Sequence, residues 1–269
     1  EINSYLQSIG YRLVANSSAP NLPFTFFMVP ASSVNAFAAP GGFIGTHSGL
    51  LLTSQSEDEL ASVLAHEIAH ITQRHLLRSF EKQKRMSVPR TAALIAAVLL
   101  GAADPKAGSA AVAVVQAAGV QSQLDFTRAH EKEADNLGMV NLVRSGFDAH
   151  AMPSFFERLN KESRFYTGNA VPEFLRTHPV TTSRIADARG RAESYSLQRQ
   201  LSDTLQFYLM REKLRVMTTN NISELVQQYE QALKTGNSRN STATQYGYSL
   251  ALSALGEYTK ARKVLQPLL

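Results

Sequence analysis

The sequence predicts an α+β fold, mainly helical with a small β-sheet and followed by a purely helical tail. Two observations carry that expectation. Strand-like segments bounded by proline and glycine cluster in the first fifty residues, whereas helical periodicity fills the rest. From about residue 200 every remaining segment reads as helix, with a hint of repetition. Two domains follow: 1–198, which holds the residues of chemical interest, and 199–269, a tetratricopeptide-like helical region.

Residues 1–15 read as an amphipathic helix closed by the loop NSSAPNLP. FTFFMV (24–29), held between Pro23 and Pro30, reads as a strand. VNAFAAPGGFIGTHSGLL (34–51) reads as two short strands about the turn Pro40-Gly41-Gly42, then the start of a helix. Ser56 and Glu59 have capping-box spacing, so a long helix should begin there and run to about Arg85. The GGF and HSGL segments suggest an edge strand beside that helix, to which an extended chain could add.

Two apolar runs come next, TAALIAAVLLGAA (91–103) and AGSAAVAVVQAAGV (107–120), read as helices joined at Asp104-Pro105. Each falls short of the ~20 residues of a bilayer span, so neither is expected to cross a membrane. Core packing is the expectation; a hydrophobic lip over the cleft, or a patch contacting an outer-membrane partner, is the sharper alternative, with peripheral membrane contact as a further option. QLDFTRAHEKEADNLGMVNLVRSG (123–146) is helical up to Gly146, a C-cap. A helix over about 151–163, a loop FLRTHPV (174–180) broken by Pro179, and a helix from near Thr182 complete the first domain.

In the tail, LVQQYEQALKTGN (225–237) reads as the second helix of a helical hairpin. YGYSLALSALGEYTKARKVLQPLL (246–269) places Gly256, Tyr258, Ala261 and Leu265 at tetratricopeptide spacing. Two repeats rarely make a stable solenoid, so a longer array is expected.

Composition narrows the function classes. The chain has no cysteine, which excludes disulfides, thiolate metal sites and cysteine nucleophiles. A net charge of +5 is a weak pull toward acidic surfaces. The basic stretch of Arg74, His75, Arg78, Lys82, Lys84, Arg85 and Arg90 lacks interleaved aromatics, so it reads as a solvated helix end favouring the C-terminal dipole, with no nucleic-acid partner. Glu1 opens inside a helical pattern with no signal peptide before it, as a mature form would.

The chemistry lies in LAHEIAHITQRH (64–75). His66 and His70 are four apart and share a helix face, so both can reach one ion, and neutral imidazoles at that spacing suit zinc. Glu67 would then lie beside a water that such an ion activates. His75 falls about 180° around the helix from His66 at ~100° per residue, so it is expected to face elsewhere, as a surface histidine or one that supports a ligand from behind. A catalytic zinc needs a third protein ligand, and EKEAD (131–135) offers carboxylates. Glu131 and Asp135 share a face while Glu133 points away; one of the pair can ligate and the other accept an imidazole N–H, although a solvated acidic face has the same spacing.

SEDELASVLAHEIAH, RAHEKEADNLG and THPVTTSRIADA, with VNAFAAPGGFIGTHSGLL upstream, resemble the zinc metallopeptidases of the HtpX and CAAX-prenyl-protease superfamily. The resemblance covers nearly the whole chain and rests on four motifs in the right order. It implies a gluzincin-type domain with one zinc ion on His66, His70 and Glu131, Glu67 as catalytic base, and Asp135 supporting a ligand. The tail adds a likeness to periplasmic members of the group. Those imply unfolded or misassembled outer-membrane proteins as substrates and the barrel-assembly machinery as a partner of the repeat region. They also imply that His178 takes the fourth position on zinc and keeps the enzyme latent; a transition-state donor is its other reading. Arg184, six residues on, would steady this loop or touch substrate. The competing function is a chaperone or assembly factor with a largely inactive zinc site.

Overall fold

The computed structural model describes residues 1–163, 172–195 and 204–268, so the division expected at 198/199 lies outside the described residues. Helix α1 (Ile2–Ala15) buries Leu6, Ile9 and Leu13 against a three-stranded sheet of β1 (Thr25–Val29), β2 (Ala36–Ala39) and β3 (Phe43–His47). The order is β1-β3-β2, with β1 parallel and β2 antiparallel to β3. Gly41 and Gly42 turn the chain between β2 and β3 with φ of 87° and 84°, a region that side chains rarely enter. The GGF segment therefore leads into the central strand, and the edge expected from it is supplied by β2 instead.

After α2 (Ser48–Thr53) comes α3 (Glu57–Thr72), the spine of the molecule. Ser56 caps it by accepting from the Glu59 N–H at 3.2 Å, and Glu59 reaches back to the Gln55 N–H at 2.6 Å. Leu60, Val63, Leu64 and Ile68 are buried in the main core with Phe155, Phe156 and Phe174. The helix does not run to Arg85. It stops at Thr72, and Arg74 adopts a left-handed φ of 54° before α4 (His75–Ala103) begins. A side chain in that conformation costs about 1–2 kcal/mol. The break reorients everything after it, and the basic residues fall in the first half of α4 rather than at a helix end.

Helix α4 continues through Pro89, and after Asp104 the chain returns as α5 (Pro105–Arg144). The two apolar runs thus form the end of one hairpin. Gly101 and Gly108 meet so closely that a Cβ on Gly108 would lie 2.1 Å from the Gly101 Cα. Core packing, the expectation for these runs, does not hold: Ile95, Val98, Leu99, Val114 and Val120 are all exposed, and only Ala97 and Gly108 are buried. Counting the run alone also undersold α4, whose 29 residues are long and apolar enough to cross a membrane by length and composition. At its far end α5 closes with Gly146 at φ 75° in a Schellman pattern: the Gly146 N–H donates to the Val143 carbonyl and the Phe147 N–H to that of Leu142.

Helices α6 (Ala151–Ser163), α7 (Glu173–Thr177) and α8 (Thr182–Ala192) pack on the core. The stretch expected to be a loop at 174–180 is largely α7, with His178 as its C-cap. In the tail, α9 (Leu205–Thr218) joins the main core through Phe207 and Leu214. Then α10 (Ile222–Thr235) and α11 (Ser241–Ala254) bury a smaller cluster of Leu225, Tyr229 and Ala251. Last come α12 (Tyr258–Leu265) and a 3-10 turn at Gln266–Leu268.

Candidate metal centre

Helix α3 projects His66 and His70 from one face, and α5 crosses it closely. A Cβ on Gly138 would sit 3.1 Å from the His66 nitrogen, so a side chain there would press the two helices apart by a few tenths of an ångström. The crossing sets Glu131 against both histidines, with Glu131 Oε2 3.4 Å from His66 Nε2 and Oε1 3.4 Å from His70 Nε2. The two Nε2 atoms are 2.9 Å apart. From the C-terminus of α7, His178 Nδ1 approaches Glu131 Oε1 at 3.0 Å and His66 Nε2 at 3.4 Å.

Tetrahedral zinc with bonds of ~2.0–2.1 Å holds its donors ~3.3 Å apart, so this set of three imidazoles and a carboxylate fits the ion in spacing and chemistry. Glu67 is buried beside it, its Oε1 3.5 Å from His178 Nε2.

Behind the donors lies a layer of charge. Asp135 Oδ1 is 3.0 Å from His66 Nδ1. Arg184 on α8 grips Asp135 with Nε and Nη2, both at 2.7 Å, and reaches Glu131 Oε2 at 2.9 Å and the Pro179 carbonyl at 2.9 Å. It therefore steadies the loop after His178, the first of its two expected roles. Burial opposes a charge on His66, but Asp135 and Glu131 outweigh it and push its pKa up to about 10 without metal. Burial lowers His70 well below the usual histidine range, with the neighbouring His66 adding to the effect. For Glu67 burial dominates and raises the carboxyl, against the pull of His178 and His66. Glu131 goes the other way: burial would raise it, yet hydrogen bonds from His178 and His66 hold it far below the carboxylate range.

Glu67, His70, Glu131 and His178 form the floor of a cleft of about 570 Å³. Phe37 to Gly42 of β2 and its turn make one wall, and Leu76, Leu77 and His130 of the hairpin base make another.

The family model for peptidase family M48 matches residues 2–192. The chain belongs to peptidase family M48. It is 39% identical over 268 residues to the beta-barrel assembly-enhancing protease of Escherichia coli K12, covering all of this chain and 54% of that protein. The protein of the same name from Yersinia pestis is 39% identical over 270 residues, with the same coverage. A more distant relative is the mitochondrial metalloendopeptidase OMA1 of Schizosaccharomyces pombe, 30% identical over 199 residues, 74% of this chain and 56% of that one. This M48 chain spans about half the length of the curated relatives it matches. The family's cofactor, zinc, agrees with the donor set found.

His75 does not face elsewhere; of its two expected placements, surface or support behind a ligand, it takes the second. Because the helix breaks at Arg74, the His75 ring swings back into the site, buried, with Nδ1 2.9 Å from His70 Nδ1. Its Nε2 lies 3.2 Å from Glu133 Oε2, which also accepts from Arg78 at 2.8 Å, and its ring stacks on His130 at 4.1 Å. With His70 Nε2 turned to the metal position, Nδ1 carries the proton and donates to His75, which in turn donates to Glu133. No periodicity in the sequence announces this chain of contacts, since ideal helix geometry places His75 on the far side.

Proposed function

We propose that this chain acts in the bacterial periplasm as a zinc endopeptidase on misfolded or stalled outer-membrane proteins. Residues 1–198 are the peptidase domain, and 199–269 a tetratricopeptide-like region that engages the barrel-assembly machinery, in keeping with the names of its relatives. The observation that carries the reading is the convergence of His66, His70 and Glu131 beside buried Glu67, under the edge strand β2. When bound, zinc supplies the Lewis acidity that polarises the scissile carbonyl and acidifies water. Glu67, with its raised pKa, takes the proton of the attacking water and hands it to the leaving amine. Asp135 and Arg184 keep His66 in its ligating orientation. An extended chain adds to the free edge of β2, which selects backbone over side-chain identity and so suits unfolded substrates.

His178 provides a fourth donor, and a site closed by four protein ligands is inert. That supports latency, and it is the observation that favours a chaperone as second reading. The paired variants Glu67→Gln and His178→Ala separate the possibilities on an unfolded outer-membrane protein, with zinc content measured alongside. Glu67→Gln should keep zinc and lose turnover by roughly two orders of magnitude or more, while His178→Ala should raise turnover. Retained turnover in Glu67→Gln defeats the peptidase reading. Turnover unchanged or reduced in His178→Ala defeats latency and leaves His178 as a transition-state donor. A chaperone would keep its activity in cells with Glu67→Gln.

The exposed end of the α4–α5 hairpin fits one lipid leaflet. Thirteen helical residues reach ~20 Å, against ~15 Å of hydrocarbon in a leaflet. Exposed Lys84, Arg85 and Arg90 then form a collar at headgroup level, matched to anionic lipid. The wild-type chain should float with anionic vesicles, and a triple change of Ile95, Val98 and Leu99 to glutamate should stop it; a wild type that stays in the pellet fraction rejects the assignment.

A further inference from the structure

Away from the metal centre, a second pocket of about 410 Å³ opens where the end of α2 meets α9, α10 and α11. It shares no lining residue with the peptidase cleft. Its inner wall is Arg211, of which only 8% is exposed. The guanidinium rests over the rings of Phe207 and Tyr208. Its Nε has no hydrogen-bond partner, and its two terminal nitrogens find only the Ser54 carbonyl and Glu212 Oε1, each at 3.4 Å. Burial lowers its pKa, partly offset by Glu212, and nearby Arg215 and Arg239 add to the lowering.

Arg215 and Arg239 line the same pocket. Glu212 is the one acidic side chain in the lining among the described residues, and it is already engaged, accepting from Tyr229 Oη at 2.8 Å and pairing with Arg215 at 3.0 Å. Three guanidinium groups against one carboxylate leave a surplus of two positive charges. A buried guanidinium whose one carboxylate partner is 3.4 Å away and shared with Arg215 is costly, and a fold that keeps one is offering its remaining donors to something that comes from outside.

We propose that this pocket binds the C-terminal carboxylate of an extended peptide. A planar guanidinium with donors to spare pairs a carboxylate in two parallel hydrogen bonds. The carboxamides of Gln55, Gln228 and Asn237 line the pocket and suit a peptide backbone, while Leu52 and Leu225 give an apolar wall for a final side chain. Glu212 disfavours a dianion, which sets the site against phosphate. The volume lies within the ~300–1,000 Å³ range of ligand pockets and has room for about two residues.

The test uses the chain as it stands, with three probes followed by calorimetry: acetyl-Gly-Ala-Leu with a free carboxylate, the same peptide as its amide, and inorganic phosphate. An acetylated, C-terminally amidated peptide with one aspartate distinguishes a side-chain carboxylate from a chain end. The free acid should bind at least about tenfold more tightly than either amide or phosphate. Arg211→Met, which keeps the packing over the rings, should lose that binding while the melting temperature stays level or rises, whereas a purely structural arginine would lower it. Should that variant fail to fold, Arg215→Gln with Arg239→Gln at the rim should weaken the free acid by about tenfold. Equal binding of acid and amide, preference for phosphate or for the aspartate peptide, or no binding up to about 10 mM overturns the proposal.

Discussion

Arg184 and Arg211 are both buried arginines lying over aromatic rings, and they sit in opposite electrostatic surroundings. Arg184, 5.1 Å from the Phe156 ring centroid, spends its donors on two carboxylates and a carbonyl, all within 2.9 Å. Arg211, 5.0 Å from the Tyr208 centroid, has no hydrogen bond shorter than 3.4 Å and one nitrogen without any. The first network is closed, and closure is what holds Asp135, Glu131 and the His178 loop in register. The second is open toward a pocket. Burial of charge therefore serves two ends in one chain: rigidity where the partners are built in, and readiness where they are not.

The largest effect separates the two directly. Arg184→Met strands two buried carboxylates and should cost about 3–5 kcal/mol, seen as a lower denaturant midpoint at unchanged slope. Arg211→Met should cost nothing or stabilise. Equal losses in the two variants would erase the distinction.

A smaller effect probes the closed network from inside. Asp135→Asn keeps the shape but weakens the partner of His66 Nδ1, so zinc affinity should fall about 10–100-fold in chelator competition. The sign of a linked proton follows from the same pair. Without metal, His66 is held up to about 10, so near pH 7.5 it is protonated and must lose that proton to take zinc. Calorimetry in buffers of different ionisation enthalpy should report about one proton released by the wild type and less by Asp135→Asn. No release from the wild type would mean that the carboxylates do not hold His66 charged.

Much of this was legible in the residues. The four-residue spacing of His66 and His70 and of Glu131 and Asp135 survives any packing arrangement, because a helix keeps such pairs on one face. Ser56 and Gly146 mark true helix ends, since their capping depends on local hydrogen bonds alone. The apolar runs were illegible in another way: alanine and valine at 91–120 have the composition of a core, and only the tertiary structure reveals that nothing covers them. Arg211 could not be found by pattern either, for its pocket is assembled from segments about 190 residues apart.

His75 shows most plainly where local periodicity gives way. Counting 100° per residue from His66 assumes an unbroken helix, and Arg74 at φ 54° breaks it one residue too early. No glycine or asparagine at that position signals the turn. The result is an outer support for His70 parallel to the one Asp135 gives His66, though with a neutral acceptor in place of a carboxylate. A neutral hydrogen bond contributes about 0.5–1.5 kcal/mol, so His75→Phe, which preserves stacking on His130, should weaken zinc by roughly fivefold, well short of Asp135→Asn. His75→Asn, offering an acceptor again, should recover part of that loss. Unchanged affinity in the phenylalanine variant would return His75 to the role its sequence position suggests, and a loss as large as that of Asp135→Asn would show that the chain through Glu133 and Arg78 acts on the site as a charge rather than as a single neutral contact.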